Sequence, residues 1–290
     1  MSGNPLGLST FILASPFSDS DGDAFRKVAD FGYDVIEVCV ENPALLTAEA
    51  IRRMASETGL QVSICGAFGP DRDLSNEDPE GRAAGIAYVK TCVDLAEAVG
   101  SPHVAGPMYA TTGKTRMLSP AGRRQQRAWA AESLREAADY AAERGVRLAI
   151  EPLNRFETDM VNTTEQGLEL CELVGRPNVG LLLDTFHMNI EEKSLAAAVR
   201  LAGTRVFHVQ VSENDRGAPG SGHVPWEEFF GALSEIEYRG QIVVESFLPT
   251  VAEIARAVSL WRPVAESMDE LARAGLAFLR QSLAAEGASR

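Results

Sequence analysis

The sequence lacks several features that mark large classes of protein. It has 4 cysteines and no Cys-x-x-Cys pair, so we expect free thiols in a reducing cytoplasm rather than a disulfide scaffold. No run of about 18 apolar residues occurs, and therefore no transmembrane helix is expected. The N-terminal stretch MSGNPLGLSTFILASPFSDS carries no basic segment and predicts a first strand rather than a signal peptide.

Positive charge and histidine are also scarce. The 27 lysines and arginines are outnumbered by 41 aspartates and glutamates, which gives a formal charge of -14. Such a surface repels phosphate backbones, so a nucleic-acid partner is not expected. A multi-zinc nuclease would need more than the 4 histidines present.

Strand-like and helix-like segments alternate over the whole chain. Predicted strands cover Leu6–Leu13, Tyr33–Val40, Gln61–Ala67, His103–Pro107, Arg147–Glu151, Val179–Asp184, Arg205–Ser212 and Gln241–Ser246. Predicted helices cover Asp21–Phe31, Thr47–Glu57, Glu80–Val99, Pro120–Arg144, Thr163–Leu173, Ser194–Leu201 and Trp226–Ile236. A further helical segment begins at about residue 251 and runs to about Ala284.

Eight such units favour a closed barrel. In a doubly wound open sheet we would expect a glycine-rich phosphate-binding turn after the first strand, and the sequence has no such turn there. No low-complexity linker divides the chain. The sequence therefore predicts an α/β protein with one domain, a (β/α)8 TIM barrel covering residues 1–290.

Polar side chains lie at or near the ends of the last four predicted strands, where a barrel builds its active site. These residues are Glu151, Asp184, Gln210 and Glu245, each after an apolar run and 26 to 35 residues from the next. Equivalent positions on consecutive strands should converge at the barrel mouth. Three carboxylates so placed would repel one another unless a positive charge lay among them.

A divalent cation is the simplest source of that charge. All four candidate ligands offer oxygen, which favours a hard ion such as Mn²⁺ or Mg²⁺ over Zn²⁺. Alternation puts His208 on the same side of its strand as Gln210. His208 is therefore a ligand in place of Gln210, a partner behind the ligands, or a histidine of the core, and the sequence leaves these alternatives open.

The loops beyond these strand ends add further polar groups. Glu157 follows Glu151, His187 follows Asp184, and Arg216 lies in the segment after the seventh strand. A carboxylate, a histidine and an arginine near one cation suit a substrate with several hydroxyl groups. The alternative for Arg216 is a surface ion pair with Glu213 or Asp215. We interpret His103 and His223 as residues without a direct function.

Several segments resemble a known family. IEPLNRFETDMVN, LLLDTFHMNIEE, VSENDRG and IVVESF are similar to the D-tagatose and D-allulose (psicose) 3-epimerases, the ketose 3-epimerases of the xylose-isomerase-like barrel superfamily. The resemblance implies that Glu151 and Glu245 are paired catalytic residues that also bind a metal, with Asp184 as a further ligand. It implies that Glu157, His187 and Arg216 hold the substrate.

One position departs from this family. Its remaining metal ligand is usually a histidine, whereas this chain has Gln210, which is similar to the hydroxypyruvate-isomerase branch. We therefore expect a metal-dependent isomerase, first of all a C3 epimerase of free ketoses. The alternatives are an aldose–ketose or hydroxypyruvate isomerase, a metal-dependent lyase of 3-oxo-glycosides and a non-catalytic sugar-binding protein.

The expected cofactor is Mn²⁺, with Mg²⁺ or Co²⁺ as alternatives. The resemblance also implies a homo-oligomer, a dimer or a tetramer. We expect a small sugar as the binding partner and neither a membrane nor a nucleic acid.

Overall fold

A computed structural model describes residues 3–288 of the chain. Its eight strands are all parallel and hydrogen-bond in sequence order, and β1 closes the ring by pairing with β8. The strands are β1 Leu6–Ser9, β2 Val35–Val40, β3 Gln61–Gly66, β4 His103–Gly106, β5 Arg147–Ile150, β6 Val179–Asp184, β7 Val206–Val211 and β8 Ile242–Val244. The predicted closed barrel is confirmed.

Helices surround the barrel. They are α1 Gly22–Phe31, α2 Ala48–Thr58, α3 Pro79–Val99, α4 Pro120–Ala142, α5 Thr164–Val174, α6 Thr185–Glu191, α7 Leu195–Ala202, α8 Trp226–Glu235, α9 Ala252–Ala257 and α10 Met268–Ala288. None of those within residues 3–288 combines the length and the apolar character that crossing a bilayer requires.

Two predicted elements were wrong in extent. The first strand ends at Ser9 because the Ser9 hydroxyl accepts a hydrogen bond from Phe11 N and caps a short 3-10 turn, Thr10–Ile12. The C-terminal segment is two helices, α9 and α10, rather than one. The chain between them contains Pro263, which disfavours helix at the residue before it.

The main apolar core lies between the barrel and the helices. Outward side chains of the strands, such as Ile36, Val38 and Ile64, pack there against the apolar faces of the helices. The C-terminal helix α10 closes this layer, and Tyr33 at the start of the second unit donates a hydrogen bond to the Ala272 carbonyl. The side chains on the other face of each strand point into the barrel interior.

Inside the barrel, apolar residues fill one part and polar residues another. Ala105, Ala149, Leu182 and Phe207 form a small buried cluster. Phe207 lies at a register shift between β6 and β7 and reaches the space beside Gly180. Further towards the carboxyl ends of the strands, the inward side chains, such as Glu37, His208 and Gln210, are polar.

We expect that replacing Gly180 with alanine destabilises the barrel. The added Cβ would lie 2.5 Å from the Arg205 carbonyl oxygen and 2.6 Å from the Phe207 ring. Overpacking of this kind typically lowers the free energy of unfolding by about 1–3 kcal/mol. Thermal unfolding followed by circular dichroism should show a lower midpoint.

Gly231→Ala is the matched control. Gly231 is inside α8, and a Cβ there would meet no atom within 4 Å. Alanine in a helix interior is better than glycine by about 0.5–1 kcal/mol, so this variant should unfold at a slightly higher temperature. Equal stability of the two variants would contradict the packing assigned to Gly180.

Candidate active site

A cleft of about 290 Å³ opens at the carboxyl ends of the strands. This volume is at the small end of the range typical for small-molecule sites. Its polar lining comprises Glu151, Glu157, His187, Arg216 and Glu245. Its apolar lining includes Phe11, Phe68, Leu153, Phe247, Ile254 and Val258. Five of the residues predicted from the sequence therefore line one cleft.

The two glutamates come from strands three apart around the ring. Glu151 directly follows β5 and Glu245 directly follows β8, and each is only 5% exposed. Glu245 Oε2 lies 3.0 Å from Arg216 Nη1, and Arg216 Nη2 lies 3.1 Å from His187 Nε2. His187 Nε2 is in turn 3.4 Å from Glu151 Oε1. The two carboxylates thus flank a contiguous row of side chains.

Arg216 is the positive charge at the centre of this row. Its guanidinium donates to Asp184 Oδ2 at 2.6 Å as well as to Glu245. It also stacks over the Phe186 ring, with Cζ 4.1 Å from the ring centroid. Arg216 is 2% exposed, so a surface ion pair with Glu213 or Asp215, the alternative raised by the sequence, is wrong.

The short helix α6, which the sequence analysis did not predict, directs His187 into the site. Asp184 ends β6, and its Oδ1 accepts from Phe186 N at 2.7 Å, which caps the helix. The backbone N–H of Asn154 donates to His187 Nδ1 at 3.0 Å. In the neutral imidazole the proton is therefore on Nε2, which can donate to Glu151 Oε1. Arg216 Nη2 is itself only a donor, so it lies against Nε2 without a hydrogen bond.

A side-chain hydrogen bond also holds the loop after β5, which carries Asn154 and Glu157. Asn154 Nδ2 donates to Glu157 Oε1 at 2.8 Å and so holds the third carboxylate of the cleft lining. Asn154 thereby orients both His187 and Glu157. This contact was not predicted, although Asn154 lies in the same sequence segment as Glu157.

The loop after β7 presents Arg216 in an unusual backbone conformation, with φ of 69°. Its carbonyl oxygen accepts from Ser246 Oγ at 2.7 Å. The loop is organised by Glu213, a fully buried carboxylate that accepts from Trp226 Nε1 at 2.6 Å and from Gly220 N at 2.9 Å. Such a conformation persists only where surrounding contacts hold it.

Gln210 is not among the residues that line the cleft, but it contacts Glu245 through its amide nitrogen. Nε2 donates to Glu245 Oε1 at 3.1 Å and to Glu37 Oε1 at 2.6 Å. His208 lies one layer deeper, with Nε2 2.6 Å from Glu37 Oε2. Of the three interpretations of His208, the contact favours a partner behind the site.

Glu37 is the residue that the sequence analysis missed. It lies within β2, in the apolar run VIEVCV, where the lone charged residue was the available signal. His103 was interpreted as having no direct function. It lies in the same interior layer, with Nε2 3.0 Å from Ser63 Oγ. His223 is exposed in a loop, in agreement with its interpretation.

Burial shapes the protonation of the carboxyl groups. It raises the pKa of Glu151 and, more strongly, that of Glu245, where Arg216 opposes the effect and Asp184 adds to it. Burial acts in the same direction on Asp184, but the charges of Arg216 and His187 and the hydrogen bonds from Arg216 and Phe186 N together outweigh it and hold the pKa of Asp184 below its usual value. Neighbouring carboxyl groups with separated pKa values are suited to acid and base functions.

The donor set fits a divalent cation. Asp184 and Glu245 share the Arg216 guanidinium, and Glu151 lies beside His187, which leaves an excess of negative charge. Atoms of Glu151, Asp184 and His187 that could bind a metal lie within 4.8 Å of one another. Gln210 Oε1 is buried and has no hydrogen-bond partner among the described residues. An unpartnered oxygen beside carboxylates is what a hard cation can use.

Comparisons with known proteins agree with this geometry. The family described as "Xylose isomerase-like TIM barrel" matches residues 25–282. The L-ribulose 3-epimerase of Methylomonas sp. (strain DH-1) is 34% identical over 260 residues, which cover 89% of this chain and 90% of that protein. The D-psicose 3-epimerase of Agrobacterium fabrum is 34% identical over 269 residues, covering 89% and 92%.

A solved structure extends the similarity to three dimensions. The D-allulose 3-epimerase from Methylomonas sp. in complex with D-allulose aligns with a TM-score of 0.91 at 31% sequence identity. The alignment covers 96% of this chain and 97% of that one.

We expect Glu213→Gln to loosen the loop that carries Arg216. Glu213 Oε1 accepts from Trp226 Nε1 and Gly220 N, and Oε2 accepts from the backbone N–H groups of Asn214 and Val224. An amide has one acceptor oxygen, so its nitrogen would face one of these two pairs of donors and leave buried N–H groups unsatisfied, which costs about 1–3 kcal/mol. Chemical denaturation should show this loss, and hydrogen exchange should show faster amide exchange in residues 213–224.

Glu57→Gln is the control for the loss of one negative charge. Glu57 is exposed on α2, so the free energy of unfolding should change by less than about 0.5 kcal/mol. Unchanged exchange in the loop of the Glu213 variant would argue against Glu213 as its organising residue.

Proposed function

The chain belongs to the xylose isomerase-like TIM barrel family, and we propose that it is a divalent-metal-dependent isomerase that inverts C3 of a free ketose. The observation that carries this proposal is the pair Glu151 and Glu245, which line one cleft at the two ends of a row of polar side chains. The two epimerases to which the chain is 34% identical, over 260 and 269 aligned residues, support the same assignment.

Inversion at C3 requires a proton to leave one face of the carbon and another to arrive on the opposite face. The carbanion is stabilised by the adjacent C2 carbonyl as a planar enediolate. Two carboxyl groups on either side of such an intermediate can remove and return these protons. We assign these functions to Glu151 and Glu245, which line the same cleft at opposite ends of the polar row.

The other residues bind and orient the substrate. His187 Nε2–H and the Arg216 guanidinium would donate to the oxygens on which negative charge develops. Glu157, held by Asn154, would accept from a substrate hydroxyl. The apolar wall of the cleft would limit the access of water to the reacting carbon.

Glu151, Asp184, Gln210 and Glu245 would hold the metal, for which we propose Mn²⁺, with Mg²⁺ or Co²⁺ as alternatives. When bound, a divalent cation supplies a Lewis acid that lowers the barrier to removing a proton next to a carbonyl. Asp184 is suited to this task because the Arg216 charge, working against burial, keeps its carboxyl ionised.

A substrate without a phosphate group fits the charge of the cleft. Among the residues that the structure describes, Arg216 is the only lysine or arginine that lines it, and its guanidinium already pairs with Asp184 and Glu245. Three glutamates share the same lining and would repel a phosphate. This balance supports a free sugar.

We further propose a cytoplasmic homo-oligomer. The four buried cysteines are unpaired, which supports a reducing compartment. Met117, Phe156 and Trp261 expose most of their apolar side chains, which supports association between copies of the chain.

The substrate assignment is tested with a panel of ketoses. With Mn²⁺ added, the protein should interconvert C3 epimers such as D-fructose and D-allulose, as measured by chromatography of the products. A chelator should lower kcat/KM by at least about 100-fold, and added Mn²⁺ should restore it. Turnover of hydroxypyruvate alone, or release of the aglycone from a 3-oxo-glycoside, would instead favour the isomerase or lyase alternative.

The two-base assignment is tested in deuterium oxide. Glu245→Gln and Glu151→Gln should each lower the rate of epimerisation by about 10²- to 10⁴-fold. Each variant should still exchange the C3 proton of one epimer, because the remaining glutamate reaches one face. Glu151→Gln should retain C3 proton exchange for one epimer of the pair and Glu245→Gln for the other, as measured by NMR.

Glu227→Gln controls for loss of an exposed carboxylate on α8 and should leave both rates unchanged. Exchange of both epimers in one variant and of neither in the other would reject two opposed bases in favour of a single base.

A further inference from the structure

Glu37 is a carboxylate buried in the interior of the barrel. It lies in the middle of β2 and has no exposed surface. A charge in such a place is costly unless its oxygens accept hydrogen bonds from well-placed donors. Glu37 lines no part of the cleft, so binding of substrate does not explain it.

Donors from two other strands occupy both oxygens of Glu37. Oε2 accepts from His208 Nε2 at 2.6 Å and from Ser63 Oγ at 3.1 Å. Oε1 accepts from Gln210 Nε2 at 2.6 Å. Ser63 Oγ can also accept from His103 Nε2 at 3.0 Å. Hydrogen bonds therefore account for the close approach of Glu37, His103 and His208 without a second metal ion.

This arrangement determines which way the Gln210 amide faces. A carboxylate can only accept hydrogen bonds, so the amide nitrogen must face both Glu37 and Glu245. The reverse orientation would set the amide oxygen against two carboxylates. Gln210 Oε1 is thereby left buried and without a protein partner among the described residues.

We infer that Glu37 is a positioning residue for the reaction, acting through the Gln210 amide. Glu37 directs the amide nitrogen to Glu245, which steadies that carboxylate, and it keeps the amide oxygen available to the cation. His208 and Ser63 hold Glu37 in turn. This inference rests on the proposed function, in which Glu245 moves a proton and Gln210 binds the metal.

The test is the variant Glu37→Gln, with Mn²⁺ affinity as its first readout. An amide at position 37 has a single acceptor oxygen and cannot accept from His208 and Gln210 on separate oxygens, so the Gln210 amide should turn or move away. Loss of a partner behind a metal ligand typically weakens metal binding by about 10- to 100-fold. Electron paramagnetic resonance of free Mn²⁺, without sugar, measures the affinity. Crystal structures of the wild type and the variant would show whether the Gln210 amide has turned or moved.

Ser101→Ala is the matched control for a buried hydrogen bond in the same barrel. Ser101 Oγ donates to the His103 carbonyl at 2.7 Å and does not contact Glu37. This variant should unfold at a lower temperature, while its Mn²⁺ affinity stays within about twofold of the wild type. A purely structural function of Glu37 predicts the same pattern for Glu37→Gln, and that result would overturn the inference.

A second variant tests the route through Gln210. Gln210→Met is similar in volume but makes no such hydrogen bonds, and its affinity for Mn²⁺ should fall as much as that of Glu37→Gln. The double variant should show no further loss. Additive losses, or an unchanged affinity in Gln210→Met, would overturn the inference even if Glu37→Gln failed to fold.

The two proposals fail in different measurements. If the wild type binds Mn²⁺ but converts no ketose, the proposed reaction is wrong, and the affinities still decide the function of Glu37. If the ketoses are converted and Glu37→Gln binds Mn²⁺ as the wild type does, only the inference about Glu37 is wrong.

Discussion

The mouth of the barrel holds more buried negative charge than its one guanidinium can neutralise. Asp184 and Glu245 share Arg216, and Glu151 approaches it through His187. Without compensation, buried carboxyl groups take up protons, which is the direction in which burial shifts the pKa of Glu151 and Glu245. The same excess of negative charge would suit a divalent cation and a pair of glutamates that transfer protons. The proposed acid–base chemistry and the proposed metal binding therefore depend on one electrostatic constraint.

The barrel can impose this constraint because several residues serve both the fold and the site. Asp184 ends β6, caps α6 through Phe186 N and pairs with Arg216. Ser246, directly after Glu245, holds the Arg216 carbonyl oxygen. A change in the packing of these loops would therefore displace Asp184, Arg216 and Glu245 at the same time. Rigid strand ends limit such movement, since each is hydrogen-bonded to both neighbours in a closed ring.

Much of the fold and of the cleft could be predicted from the sequence, because both depend on periodic patterns. Apolar runs that end in glutamate or aspartate located Glu151, Asp184 and Glu245, and the regular spacing of strands implied that they meet. The closed barrel and its eight strands are confirmed, and five of the predicted site residues line one cleft. The end of β1 and the short helix α6 were missed, because a cap such as Ser9 or Asp184 acts through one hydrogen bond and leaves the hydrophobic pattern unchanged.

The contacts across the barrel interior could not be predicted in this way. Glu37 and Gln210 are 173 residues apart in sequence and meet only because the ring closes. Their pairing also explains how a glutamine suits its position on β7. A neutral imidazole has one N–H and could serve either Glu37 or Glu245, whereas an amide nitrogen has two and serves both. The amide also retains an oxygen for the cation. It adds no charge of its own, so Arg216 and the proposed cation remain the positive partners of the carboxylates.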